Sequence, residues 1–245
     1  MEVHHHTHHP KKWKEYFWEF FMLFLAVFCG FLAEYQLEHK IERDRAKEYI
    51  ESLYADIKAD QEVIAAHIAF TKSKVEILDS LIQLVYKEPN LKDSTKKLYY
   101  LARIAPRLTT LAYNTRTIEQ LKNSGNFRLI KKLETSNKIM GYYLKFQALL
   151  MLETIRQSEQ IEYQKIAAKI FDPNVFLQNE GQDNEVLMGA NNSPLHSNNL
   201  DLLKELSVNA VYIRGTCKGI IAAEKEIKKN GEALLEYLKK EYHLE

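Results

Sequence analysis

The stretch Tyr16–Tyr35, YFWEFFMLFLAVFCGFLAEY, determines how the rest of the chain is interpreted. No polar side chain occurs between Phe20 and Ala33. A helix over Tyr16–Tyr35 is about 30 Å long at about 1.5 Å per residue, which matches the hydrocarbon core of a bilayer. Aromatic residues stand at both ends of the run, where lipid headgroups would lie. The stretch therefore predicts one membrane-spanning helix, with the lipid bilayer as its partner.

A cleaved signal peptide is the alternative interpretation of the same stretch. Phe and Leu occupy the place of a small-residue cleavage site, and the helical pattern continues beyond it. Both features favour a retained membrane anchor.

Composition limits the function of the remaining chain. The 245 residues contain 34 Lys and Arg against 33 Asp and Glu, so no electrostatic footprint for nucleic acid is present. With only 8 Gly and 5 Pro, long helices are favoured over a turn-rich β fold. Cys29 lies in the apolar run and Cys217 on an apolar helical stripe, which excludes a disulfide framework.

Two segments repeat apolar residues every seven positions, as packed helices do. The first extends from Gln36 to about Lys87, and the second from Leu200 to about Tyr242. In the first segment the rows are Ile50, Ile57, Ile64, Thr71, Leu78, Val85 and Tyr54, Gln61, Ile68, Val75, Ile82. In the second they are Leu206, Ile213, Ile220, Ile227, Leu234 and Leu203, Ala210, Cys217, Glu224, Gly231, Leu238. His67 falls beside the first seam and is interpreted as a packed or surface residue.

The intervening chain predicts shorter helices and one long one. Short helices are expected over Asp93–Ala105 and from about Asn114 to Asn123, and a long helix from about Leu129 to Phe171. Asp172–Asn199 is rich in Asn and breaks all periodicity, so a mobile loop is expected there. The apolar face of the long helix includes Leu133, Ile139, Tyr142, Tyr143, Phe146, Leu149, Leu150, Ile166 and Ile170. On the same helix Glu153, Glu159 and Glu162 are interpreted as a solvated face.

These elements predict an all-α protein with a single N-terminal transmembrane helix continuous with a long helix, followed by an antiparallel helical bundle. The predicted organisation is a His- and Lys-rich tail at 1–15, the membrane helix at 16–35, long helices with a short helical insert at 36–171, an Asn-rich loop at 172–199 and a C-terminal bundle helix at 200–245.

Four groups of residues are candidate sites. Neutral imidazoles in the tail could bind a metal, at His4, His5, His6, His8 and His9, although a flexible tail is the favoured interpretation. Glu19 is an intramembrane carboxylate, which marks a functional site unless it snorkels or pairs with Lys12 or Lys14. Ser124, Gly125 and Asn126 form a predicted turn in which Gly125 takes a positive φ. A possible anion site comprises Arg103, Arg107, Arg116 and Arg128, with a surface scatter as the alternative.

Tyrosine pairs offer a further candidate for a binding pocket. Tyr99, Tyr100, Tyr142 and Tyr143 could line one, whereas tyrosine pairs at helical spacing are usually core residues with a wet hydroxyl.

Two stretches together resemble a known family. They are Glu19–Asp60, EFFMLFLAVFCGFLAEYQLEHKIERDRAKEYIESLYADIKAD, and Ile118–Ile130, IEQLKNSGNFRLI. The resemblance is to an uncharacterised family of membrane-anchored helical proteins from Bacteroidetes-type bacteria, which pair a Glu-bearing span with a Leu–polar–Ser-Gly-Asn turn. It covers roughly 13–144 and departs in the histidine tail and the Asn-rich loop. The resemblance implies architecture and compartment, and it implies no reaction.

The expected function is therefore a structural or protein-interaction module without catalysis or cofactor. No phosphate loop, HExxH, CxxC or GxSxG motif occurs in the chain. Self-association or another membrane protein is the expected partner, and a periplasmic ligand-sensing or anion-binding module is the alternative. Positive charges flank the span on both sides, so orientation rests on the resemblance, which implies a bacterial inner-membrane location with a cytoplasmic N-terminus and a periplasmic bundle.

Overall fold

The computed structural model describes residues 12–87 and 91–244. The chain divides into two compact units, Met1–Ile50 and Glu51–Glu245, which are described separately. Within the described residues the secondary structure is helical, with a single isolated bridge between Glu180 and Val186 and no strand. The predicted all-α class is confirmed.

The first unit contains the N-terminal part of a single long helix, α1, which extends over Trp13–Lys87 and continues into the second unit. The apolar side chains of the predicted span are exposed. Phe20, Phe24 and Phe28 stack along one side, with ring centroids 6.4 Å and 5.8 Å apart. Among the described residues α1 is the one helix long and apolar enough to cross a membrane.

In the part of the second unit that the structure describes, the remainder of α1 and five further helices form a bundle. They are α2 (Thr95–Ile104), α3 (Arg116–Asn123), α4 (Leu133–Ile170), α5 (Pro173–Gln178) and α6 (Leu200–Tyr242). Short 3-10 turns occupy Leu91–Ser94, Asn126–Leu129 and Gln182–Asn184.

Side-chain contacts define the directions of the three long helices. Near the start of α4, the hydroxyls of Thr135 and Tyr237 lie 3.0 Å apart, and further along Thr216 donates to Glu159 over 2.9 Å. On α1, Asp79 pairs with Arg214 and His67 with Glu224. Because α6 is antiparallel to both α4 and α1, the latter two helices are parallel to each other.

Seven-residue periodicity correctly predicts the buried rows of α6 and the α1 row that begins at Ile50. The companion α1 row is mostly half-buried, since only Ile68 is buried among Tyr54, Gln61, Ile68, Val75 and Ile82. The row that begins at Ile50 is buried through to Val85, and the α6 row from Leu206 to Leu234 is buried as well. In α4 the prediction was less accurate, since Leu133 and Leu150 are exposed. Leu133 is the first residue of a helix that begins four residues later than expected, after the 3-10 turn.

Asp172–Asn199 is more ordered than the predicted irregular loop. Its first residues form α5, where Pro173 occupies the first turn and the Asp172 carboxylate accepts from the Asn174 amide over 2.8 Å. Farther on, Asn192 donates to the backbone of Asp93 over 2.9 Å, and Leu195 is buried in the core. The segment is therefore packed on the bundle despite its lack of apolar periodicity.

Candidate functional site

A third row of α1, beside the two apolar rows, carries buried ionisable side chains. Leu53, Asp60, His67, Lys74 and Leu81 follow one another at seven-residue spacing, and all five are buried. The relative exposures of Asp60, His67 and Lys74 are 0%, 7% and 9%. Burial of charged groups is costly unless each finds a partner, so the contacts of this row identify what it does.

Each ionisable member of the row binds the end of α2 or the connection between α2 and α3. Lys74 Nζ donates to the Ile104 carbonyl over 3.2 Å, and burial lowers the pKa of Lys74. The Asp60 carboxylate accepts from the backbone and side-chain amides of Asn114 over 2.9 Å and 2.8 Å. Backbone groups of a non-helical segment need partners, and the row supplies them along its length.

His67 connects α1 to α6 and to the same connection. Its Nδ1 lies 2.5 Å from Glu224 Oε1, and its Nε2 lies 3.1 Å from the Thr109 carbonyl. Since a carbonyl only accepts, Nε2 carries a hydrogen. Burial lowers the pKa of His67, but the hydrogen bonds to Glu224 and Thr109 and the charges of Glu224 and Glu153 outweigh it, so the pKa is raised.

A second ion pair, on α4, meets His67 at the same carbonyl. Arg156 forms a buried ion pair with Glu153 one turn away. Its Nη1 also donates to the Thr109 carbonyl over 3.2 Å. Burial raises the pKa of Glu153 despite the opposing charges of Arg156 and His67. His67, Thr109, Glu153, Arg156 and Glu224 therefore form one unit, called here the Thr109 cluster, which joins α1, α4, α6 and the α2–α3 connection.

The chemistry open to the Thr109 cluster is limited by its own contacts. Both ring nitrogens of His67 are engaged, so neither is positioned to take a proton from a substrate. Within the part of the chain that the structure describes, no three His, Cys, Asp or Glu side chains are grouped to hold a metal ion. The arrangement can hold the α2–α3 connection in place and keep two pairs of opposite charges buried inside the bundle.

A neighbouring polar group secures the start of α3. Asp56 accepts from Thr117 Oγ1 over 2.5 Å and from Arg116 Nη2 over 3.1 Å. Ser52 adds a hydroxyl contact to Thr117 at 2.8 Å. Carboxylates at a helix N-terminus are favoured by the helix dipole, so Asp56 stabilises α3 at its first turn, while Asp60 holds Asn114 just before the helix.

The four arginines of the predicted anion site have different surroundings. Arg103 lies over the Phe176 ring, Arg107 donates to Asn184 over 2.8 Å, and Arg116 pairs with Asp56. Arg128 is exposed in the 3-10 turn after α3. Three of the four thus contact three different partners, and a single anion site shared by all four stays a prediction.

The predicted turn has the expected backbone conformation at Gly125. Its φ is +68° and its ψ is 9°, and Ser124 Oγ donates to the Gln120 carbonyl over 2.6 Å. The prediction of a positive φ at Gly125 is confirmed, with Asn126 opening the next 3-10 turn. Glu19 is exposed on α1, and the five tail histidines at 4–9 lie outside the described residues.

The tyrosines of the predicted pocket differ in their contacts. Tyr99 is buried, donates to the Pro194 carbonyl over 2.8 Å and accepts from the Asp172 amide over 3.1 Å. Tyr142 and Tyr143 are also buried, whereas Tyr100 is only half-buried. Burial raises the pKa values of Tyr142 and Tyr143, as expected for core residues.

Sequence reasoning missed most of the Thr109 cluster. The prediction of a solvated position for Glu153 is wrong, because this residue is buried. Arg156 and the charge of His67 lie beside it and compensate its own charge. Glu159 is half-buried against Thr216, while Glu162 is exposed as expected. One signal was available: Glu224 occupies a row otherwise filled by small and apolar residues, and an acid in such a row requires a buried partner.

Comparisons of the chain with protein-family models, with curated proteins and with solved structures found no match in any of the three. The resemblance to membrane-anchored helical proteins of Bacteroidetes-type bacteria therefore stays a prediction. The chain is placed by its own architecture: a helical bundle preceded by a long apolar helix that could cross a membrane.

Proposed function

We propose that this protein is a single-pass, membrane-anchored helical bundle that acts as a structural and interaction module by associating with a second copy of itself. The span at 16–35 supports the anchor, because its apolar side chains form a large exposed surface that a bilayer would cover. The sequence resemblance favours a bacterial inner membrane, with the N-terminus in the cytoplasm and the bundle in the periplasm.

The observation that carries the proposal is an apolar strip on the outer face of α4. Leu144, Ala148, Met151 and Ile155 are all exposed, and Met151 reaches 68%. Spacings of four, three and four residues place these side chains on one helical face. Apolar faces of this kind are the usual contact surface between helices of different chains.

A second copy of the chain is the partner that best fits both exposed apolar surfaces, the α4 strip and the span at 16–35. In the span, Ala26 and Gly30 form a small-xxx-small pair, and a Cβ added at Gly30 would meet nothing within 4 Å. Such pairs let two membrane helices approach closely. Any partner must offer one surface in the bilayer and another outside it, and a second copy offers both.

The contacts of the Thr109 cluster support a role without catalysis. Its one histidine, His67, contacts a carboxylate through Nδ1 and a backbone carbonyl through Nε2, so both ring nitrogens are already engaged in contacts within the protein. A general base must instead present a free nitrogen or oxygen to its substrate.

Cysteine cross-linking in the membrane tests self-association through the α4 strip. In a Cys29→Ser background, which removes the exposed native thiol, Met151→Cys is compared with Gln157→Cys, an exposed position on another face of α4. We expect disulfide-linked dimers from Met151→Cys at several times the yield from Gln157→Cys. Equal yields, or no dimer from either variant, would show that the strip is not the contact between copies.

A further inference from the structure

A cleft between α2, α4 and α5 has the chemistry of a small-molecule site. Its volume is about 420 Å³, within the range of ligand pockets of roughly 300–1,000 Å³. All of its lining residues belong to the second unit. We infer that this cleft binds a small aromatic monoanion, with the apolar ring in the cleft and the anionic group at Arg103.

Aromatic rings and small side chains form the walls of the cleft. Tyr163, Phe171 and Phe176 line it, and the rings of Phe171 and Phe176 lie 5.3 Å apart at 38°. Tyr163 donates its hydroxyl to the Ala102 carbonyl over 3.1 Å, so it presents its ring rather than an unpaired polar atom. Ala167 and Ala168 on α4 also line the cleft, with small side chains. A flat apolar group suits such walls because aromatic rings favour offset or edge contacts.

Arg103 supplies the charge at the same cleft. Its guanidinium carbon lies 5.6 Å from the centroid of the Phe176 ring, a cation–π geometry that holds the side chain at the cleft. Among the described residues no carboxylate lies in ion-pair contact with Arg103. The carboxylate of Asp172, which lies between Phe171 and Pro173 in the chain, accepts from the Asn174 amide at the start of α5.

A guanidinium that pairs with none of the described carboxylates, beside an apolar cleft, selects for an anion over other ligands. Its planar fork matches a carboxylate or sulfonate and can bind two oxygens at once. A cation would be repelled by Arg103, and a neutral ring would gain only the apolar contacts. A ligand with the anionic group should therefore bind more tightly than an uncharged analogue of the same shape.

Binding of 2-naphthoate to the full chain in lipid nanodiscs tests this inference, with empty nanodiscs as the blank. Titration is followed by methyl NMR of 13C-alanine, which reports on Ala167 and Ala168 in the cleft. The neutral comparator is 2-naphthalenemethanol and the cationic comparator is naphthylmethylammonium. We expect saturable shifts at Ala167 and Ala168 with naphthoate, and affinity lower by about tenfold or more for the neutral compound, the scale of a charge-assisted hydrogen bond.

Four variants test where the ligand binds. Arg103→Gln should weaken naphthoate binding by about tenfold or more, and Ala168→Phe should weaken it by placing a bulky ring at the wall of the cleft. Arg128→Gln, which removes an exposed arginine from a different turn, should leave the affinity unchanged. Circular dichroism melting confirms that each variant is folded, and Arg103→Lys provides a second charge test in which binding is weakened but retained.

Any of three results would overturn the inference. The first is equal affinity for naphthoate and its neutral comparator, and the second is undiminished naphthoate binding by Arg103→Gln. The third is the absence of any saturable shift at Ala167 and Ala168. The inference is independent of self-association, because the cleft lies on a different face of α4 from Met151.

Discussion

At the scale of single residues, His67 gives the fold a dependence on pH. It faces Glu224 on α6, Glu153 and Arg156 on α4, and the Thr109 carbonyl. Because its pKa is raised above the usual 6.5 in the folded protein, the folded state holds that proton more tightly than the unfolded chain does. The resulting stabilisation is complete below pH 6.5 and is lost as pH rises through the folded pKa.

We therefore expect the melting temperature of the full chain to fall as pH is raised from about 6 to about 8. The pKa of Glu153 is also raised in the folded protein, so this carboxyl likewise contributes stability that is lost as pH rises, beginning near its usual pKa of 4.5. His67→Gln should be less stable at pH 6 and should lose most of the pH dependence above 6.5. If the variant retains the parent slope, or if the parent gains stability with rising pH, His67 is not the titrating group.

Gly125 is the residue whose backbone conformation most restricts substitution. Its φ of +68° is strained for residues with a Cβ, whereas the space around a Cβ there is open, with nothing within 4 Å. Gly125→Val should therefore destabilise by about 1–3 kcal/mol through backbone strain alone.

Asn tolerates left-handed backbone better than Val does, so Gly125→Asn is the matched control for this position. Its loss of unfolding free energy, measured by chemical denaturation, should be clearly smaller than that of Gly125→Val. Equal losses for the two variants would indicate a clash rather than backbone strain, against the open space that the structure shows.

At the scale of elements, the buried charges should be strongly coupled across helices. Glu224→Leu leaves His67 without its carboxylate and should cost about 3–5 kcal/mol, the scale for breaking a buried pair. The double variant His67→Leu/Glu224→Leu should lose less than the sum of the two single variants by about 1 kcal/mol or more.

The exposed pair Glu162 and Lys165 is the control for this cycle, since its atoms lie 2.7 Å apart on the surface of one helix. Its coupling should be no more than about 0.5 kcal/mol. Additive losses in the buried cycle, measured in denaturant at pH 6, would mean that His67 and Glu224 do not stabilise each other.

The sequence predicted the long helices because apolar residues recur at seven-residue spacing, as in the series from Ile50 to Val85, where Thr71 is the one polar member. It did not predict the polar row, although Asp60, His67 and Lys74 follow the same seven-residue step. Periodic analysis counts apolar residues, so a buried row of ionisable residues looks like a solvated face. The partner that buries His67 lies 157 residues away, and no local pattern reports a contact at that separation.

At the scale of the whole molecule, the apolar helix should anchor the chain in a bilayer. Leu23→Lys/Phe28→Lys places two charges in the span, each costing about 2.5–3.5 kcal/mol at the bilayer centre. We expect this double variant to be extracted from membranes by alkaline carbonate, while the parent remains in the pellet.

Leu37→Lys is the control, since Leu37 is also an exposed apolar residue of α1 but lies outside 16–35. This variant should stay membrane-bound. For orientation, protease added to spheroplasts should remove a C-terminal epitope tag and spare an N-terminal one until lysis. The reverse pattern would contradict the proposed periplasmic bundle, and extraction of the parent by carbonate would contradict the anchor itself.

The Thr109 cluster also determines which positions evolution is free to change. Its central acceptor is a main-chain oxygen, which every residue type supplies, while the Thr109 side chain is exposed. Among descendants of this gene, position 109 should therefore drift across many residue types without loss of the protein. The donors at 67 and 156 and the acids at 153 and 224 should change only together. In an alignment of such sequences, position 109 would therefore vary more than these four positions, although its carbonyl is at the centre of the network.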